Sequence, residues 1–228
     1  MGAGSEELSF PSGGRSVAAH VALPASGHGP GVVVLHEAWG LDDSVRGVCA
    51  RLAREGCVAL APDLFDGQIA RDVEEAGRLL AGLGDARVVA DLDGAVHALL
   101  SHAAVDGPKV GVLGFCMGGH FALVAGARNR RVGAVVDFYG LFPQPPLDLG
   151  GLEAPLLAIF AEHDEFIAAD AIERLERDLR AKGKRASVLV QPGVHHGFMN
   201  ETRPDRFDAA AAARGWARLL AFLRAELA

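Results

Sequence analysis

An α/β fold on a mostly parallel sheet is the architecture this sequence predicts, and three observations carry it. Short runs rich in β-branched residues alternate with longer stretches of helical periodicity, the pattern of strands joined by crossover helices. The run Val32-Val33-Val34-Leu35 is apolar throughout rather than alternating, as a strand covered on both faces must be. A glycine-flanked turn, Gly114-Phe115-Cys116-Met117-Gly118-Gly119, joins one such strand to a helical stretch. With 228 residues, half of them hydrophobic, the chain is long enough for one domain spanning 1–228 with a sizeable core.

The elements follow in order. Leu8 to Phe10 and Val17 to Ala22 flank Pro11-Ser12-Gly13-Gly14, which reads as an edge hairpin. Gly31 to His36 is the central buried strand. Asp42 or Asp43 can cap the next helix, whose apolar residues Val45, Val48, Cys49 and Leu52 recur at helical spacing. Cys57 to Ala61 is a strand stopped by Pro62. Arg71 to Ala81 and Arg87 to His102 read as helices, broken around Gly82, Gly84 and Asp85. Val110 to Leu113, Ala134 to Tyr139 and Leu156 to Phe160 are further strands, with a surface loop at Pro143, Pro145 and Pro146. Ala169 to Arg180 is a helix, Ser187 to Val190 the last strand, and Phe207 to Leu227 a final alanine-rich helix.

Composition excludes several functions. A net charge of -7 without a Lys/Arg run argues against a nucleic-acid surface. The three cysteines, Cys49, Cys57 and Cys116, are odd in number and far apart, so neither a disulfide framework nor a zinc site is expected. Met1 to Phe10 carries two glutamates and no apolar core, and no run approaches a membrane span. A cytoplasmic protein is the expectation.

The chemistry concentrates in four places. Cys116 sits where a strand turns into a helix, a position that holds a nucleophile in a strained backbone conformation; a buried structural cysteine would fit the same residues. A nucleophile there calls for an acid and then a histidine, each just beyond a later strand. Asp164 follows the Leu156 to Phe160 strand, and His195-His196 follow the Ser187 to Val190 strand. Either histidine could be the base, with Asp164 holding its second nitrogen. Glu37 ends a fully apolar strand, either as an exposed loop residue or as a carboxylate facing the nucleophile. In the second case its charge would raise the thiol pKa.

The sequence resembles the dienelactone hydrolase family of α/β-hydrolases. The resemblance lies in Leu35-His36-Glu37-Ala38-Trp39-Gly40, Ala61-Pro62-Asp63-Leu64-Phe65, Gly114 to Gly119, Phe138-Tyr139-Gly140, His163-Asp164 and Gly193-Val194-His195-His196-Gly197-Phe198. It implies Cys116 as nucleophile, His196 as base, Asp164 as orienting acid and Glu37 as partner of the resting thiol. It also implies an oxyanion hole from the N–H groups of Met117 and Ala38, and a pocket lined by Tyr139, with Trp39 and Phe198 as further candidates. No metal or organic cofactor is implied. The implied substrate is a small activated lactone or ester; a monomer or weak homodimer is the expected assembly, with no nucleic-acid or membrane partner. The family's substrate-carboxylate clamp uses two arginines. One position is Asn200 here; for the other, Arg71 and Arg78 are the candidates, with Arg203 and Arg206 as replacements. Alternatives are a related esterase or thioesterase, or a non-catalytic module that binds a small acid or senses oxidation through Cys116.

Overall fold

A computed structural model describes residues 4–227. The chain begins with a hairpin, β1 (Gly4–Ser12) and β2 (Arg15–Leu23), closed by Gly13 and Gly14, both at positive φ. Two consecutive positive-φ residues match the right-handed twist of the paired strands, which explains two glycines there. Next come β3 (Gly29–Leu35), α1 (Asp43–Arg54), β4 (Val58–Pro62), α2 (Val73–Ala81) and α3 (Asp85–Leu100). The second half comprises β5 (Val105–Phe115), α4 (Met117–Arg128), β6 (Val132–Phe138), β7 (Leu156–His163), α5 (Ala169–Ala181), β8 (Ala186–His195) and α6 (Ala209–Glu226).

The strands form one eight-stranded sheet in the order β1-β2-β4-β3-β5-β6-β7-β8. β2 runs antiparallel to both its neighbours, β1 and β4, and every pairing from β4 to β8 is parallel. This is the expected α/β architecture. The helices divide between the faces. Phe121 and Leu123 of α4, Val88, Leu92 and Val96 of α3, and Ile172 and Leu175 of α5 pack in one apolar layer. Cys49 and Leu52 of α1 and Trp216, Leu219 and Leu223 of α6 build the other. Val32 to Leu35 have essentially no exposed surface, as an uninterrupted apolar run requires.

Several boundaries differ from the sequence reading. Asp42 is the cap of α1, accepting the Val45 N–H. Asp72 caps α2 through the Glu75 N–H, so that helix starts after Arg71. The last strand is much longer than Ser187 to Val190, because backbone pairing with β7 continues through Gln191 and resumes at His195 after a register shift. Pro192 and Gly193 are tolerated inside it because β8 is an edge strand.

Parallel pairing has one consequence for function. The carboxyl ends of β3, β5, β6, β7 and β8 all open on the same edge of the sheet, where open α/β folds bind their ligands. Glu37, Cys116, Tyr139, Asp164 and His196 follow those five strands within one or two residues.

Candidate active site

Cys116 lies between the last residue of β5 and the first of α4, at φ 52 and ψ −121. Such a conformation costs on the order of 1–3 kcal/mol for a residue with a Cβ, and it is held by close contacts around it. A Cβ on Gly114 would lie 1.8 Å from the Gly118 carbonyl oxygen, and one on Gly118 would lie 2.3 Å from that of Leu35. The flanking glycines thus let β3, β5 and the first turn of α4 approach within backbone contact. The Cys116 N–H donates to Phe138 O at 2.9 Å, tying the turn to β6.

The thiol is only partly exposed and faces a cavity of about 230 Å³. Burial pushes its pKa up, and the charge of Glu37 pushes it further in the same direction. The backbone N–H groups of Met117 and Ala38 reach the sulfur and pull the other way, without winning. Two donors converging on one point at a helix N-terminus are also what a developing oxyanion needs. His36 fixes the loop that carries Ala38. Fully buried, it donates from Nδ1 to Glu37 O at 2.6 Å and accepts the Leu64 N–H at Nε2, 3.2 Å away.

Glu37 is buried and held on both oxygens. Tyr139 Oη donates to Oε1 at 3.2 Å, and Asn200 Nδ2 donates to Oε2 at 2.5 Å. Desolvation raises its pKa, and these two hydrogen bonds partly oppose that. Asn200 is pinned in turn, its Oδ1 accepting from Ser44 Oγ at 3.1 Å and from Thr202 Oγ1 at 2.7 Å. Replacing Glu37 by glutamine removes a negative charge beside the sulfur, so the thiolate is penalised less. Glu37→Gln is therefore expected to move the midpoint of Cys116 alkylation by iodoacetamide to lower pH, followed as rate against pH. A midpoint unchanged or moved upward would contradict this electrostatic coupling.

The two histidines separate clearly. His196, nearly buried, places Nδ1 2.9 Å and 3.0 Å from the two carboxylate oxygens of Asp164. Its Nε2 is buried without a hydrogen-bond partner, and the ring lies in the wall of the cavity that Cys116 enters. His195 is more than half exposed and points to Glu165, 3.5 Å away. Asp164 is itself fixed, because Oδ1 accepts the N–H groups of Phe166 and Ile167.

Other predicted positions fall elsewhere. Arg71 and Arg78 do not reach the cavity; their side chains are 85% and 68% exposed and both pair with Glu75, at 3.2 Å each. Arg78 shares a face of α2 with Glu75 three residues earlier, and Arg71, which precedes the Asp72 cap, donates to Glu75 Oε2 through both its backbone N–H and its side chain. Phe198 is not a pocket residue either. It is fully buried and packs edge-on against Tyr139, with centroids 5.3 Å apart. Tyr139 meets Glu37 through its hydroxyl from within the core rather than lining the cavity. Asn200, Trp39, Met117 and Ala38 do line it.

The sequence reading missed the opposite wall. Val73, Ala76, Gly77 and Leu80 of α2 face the cavity, joined by Phe142 and Phe166. Their spacing of three, four and seven is the usual apolar stripe of a helix, and that stripe signals a buried face without distinguishing a cavity from a core. Arg203 and Arg206 close one side of the cavity. Among the described residues no group of three or more His, Cys, Asp or Glu could hold a metal ion, and no helix is long and apolar enough to cross a membrane.

A sheet of this order, with a tight glycine-flanked turn at Cys116 after β5 and Asp164 and His196 after β7 and β8, defines the α/β-hydrolase fold. Comparison with known proteins narrows the class. The profile of the dienelactone hydrolase family matches residues 17–227, and the chain belongs to that family. It is 35% identical to the protein called usf of Aquifex pyrophilus, over 96% of this chain and 98% of that one. It is 33% identical to an Escherichia coli K12 protein provisionally named carboxymethylenebutenolidase, over 95% of this chain and 85% of the other. The crystal structure of a provisionally named dienelactone hydrolase from Klebsiella pneumoniae superposes with a TM-score of 0.89 at 30% identity, covering 98% of this chain and 99% of that one.

Proposed function

We propose that this hydrolase is a cysteine enzyme that opens small activated lactones and esters through Cys116, His196 and Asp164. The observation that supports it most is the state of His196. It commits Nδ1 to Asp164 and keeps a buried, unpartnered Nε2 on the cavity that also holds the thiol. A neutral imidazole with that tautomer can accept a proton only at Nε2.

In this mechanism the thiol proton passes to His196 Nε2 and the sulfur adds to the carbonyl carbon. The oxyanion is received by the N–H groups of Met117 and Ala38. Collapse breaks the carbon–oxygen bond, and the leaving oxygen takes the proton back from the imidazolium, leaving a thioester on Cys116. Water, deprotonated by His196, then adds to the thioester carbonyl, and collapse breaks the carbon–sulfur bond, releasing the acid while the imidazolium returns its proton to the Cys116 sulfur. An enol-type leaving group suits this chemistry, because an ordinary alkoxide leaves less readily than the thiolate that attacked. Activated lactones and aryl esters are therefore favoured over alkyl esters and amides. The charge of Glu37 keeps the resting thiol protonated until a bound substrate displaces the balance. A thiol raised in this way is poorly suited to oxidation sensing, which needs a stable thiolate.

Trapping of the acyl-enzyme tests the reading. Rapid quenching after mixing with p-nitrophenyl acetate is expected to leave one acetyl group per chain, mapped by peptide mass spectrometry to Cys116. Acetyl groups found only on surface lysines, with steady turnover continuing, would refute the thioester route.

A further inference from the structure

We infer that the cavity takes an uncharged substrate whose apolar part lies on α2, with Gly77 setting the room for it. The inference rests on the hydrolase reading for what happens to that substrate, while its binding can be tested separately.

Every candidate for holding a substrate carboxylate is already engaged. Arg71 and Arg78 share Glu75 on the outer surface. Asn200 spends its amide on Glu37. Arg206 is paired with Glu165 and lies 3.6 Å from Asp205. Arg203 lies over the Trp39 ring, its Cζ 4.4 Å from the centroid, with Asp205 at 3.5 Å. The acidic group in the cavity wall is Glu37, whose charge acts on the sulfur and would repel an anion at the reacting carbon.

The remaining wall is apolar. Val73 and Phe166 are 70% and 63% exposed although they are large and hydrophobic, and both stand on this cavity with Leu80 and Phe142. An apolar substrate group would cover them, and a charged one would lose its hydration there without a partner. Gly77 lies on the same wall, in the middle of α2, and a Cβ built on it meets nothing within 4 Å. Glycine is a poor residue for a helix interior, and no neighbouring atom demands it here. What its missing side chain provides is space over the cavity.

The Cys116→Ala protein, which cannot form the thioester, allows binding to be measured by itself. Titration calorimetry is expected to give methyl hexanoate at least about tenfold tighter binding than the anionic monomethyl glutarate. Adding Gly77→Val should weaken methyl hexanoate about tenfold, with a smaller loss for Gly77→Ala, while neither lowers the thermal midpoint. Equal or tighter binding of monomethyl glutarate would overturn the inference, as would methyl hexanoate binding that is indifferent to Gly77→Val. Failure of the hydrolase reading shows up elsewhere, as p-nitrophenyl hexanoate turnover in the otherwise unchanged enzyme that survives Cys116→Ala.

Discussion

Cys116→Ala is expected to reduce p-nitrophenyl acetate hydrolysis by about ten-thousand-fold or more, to the residual rate that oxyanion binding alone supports. Without the sulfur no thioester forms. The N–H groups of Met117 and Ala38 can still bind an oxyanion, but bulk water must then supply the nucleophile. The fold should survive. The side chain reaches the cavity and packs, partly buried, against only one of the apolar layers, so alanine removes a single sulfur from its edge, and alanine meets the positive φ at residue 116 no worse than cysteine does. Steady-state hydrolysis and thermal unfolding of the same preparation check both halves. Turnover within a few-fold of the parent enzyme would exclude Cys116 as the nucleophile.

Asp164→Asn should cost about a hundred- to ten-thousand-fold in kcat/KM. Asparagine keeps an oxygen to accept the Phe166 and Ile167 N–H groups, so the turn after β7 retains its hydrogen bonds. Its amide nitrogen then faces His196 Nδ1 and donates to it. The imidazole is driven to carry its proton on Nε2, where the mechanism needs a lone pair. Binding of an uncharged ester should change little, because Asp164 touches the imidazole and not the cavity. The loss is thus expected in kcat, with thermal stability near that of the parent. A loss confined to KM would mean that Asp164 acts on binding and would sever it from the triad.

Much of this site was legible because its parts are local. The turn around Cys116 is six consecutive residues whose glycines announce a close backbone approach, and contacts of 1.8 Å and 2.3 Å for added Cβ atoms give the physical reason. The meeting of Asp164 with a histidine was legible through chain order, since parallel strands deliver their ends to one edge. The choice between His195 and His196 was not. Adjacent residues at a strand end point in different directions, and the register shift between Ala161 and His163 sets which ring meets Asp164. Arg71 and Arg78 failed for a related reason. Proximity in sequence to the cavity wall says nothing about where a side chain points, and Glu75 captures both, Arg78 from within α2 and Arg71 from before its cap.

By itself, the sequence determined the α/β class, the chain order of Cys116, Asp164 and the histidine pair, and the unusual carboxylate at the end of β3, because each is written in a short segment with its own backbone requirements. The tertiary structure alone decided what the cavity is made of and which charges remain free in it. Its walls come from α2, from the Phe142 and Phe166 loops and from residues 197–206. Segments so far apart in the chain acquire their common environment only when the two apolar layers close on the sheet, and ion pairs such as Arg206 with Glu165 form at that moment and not before.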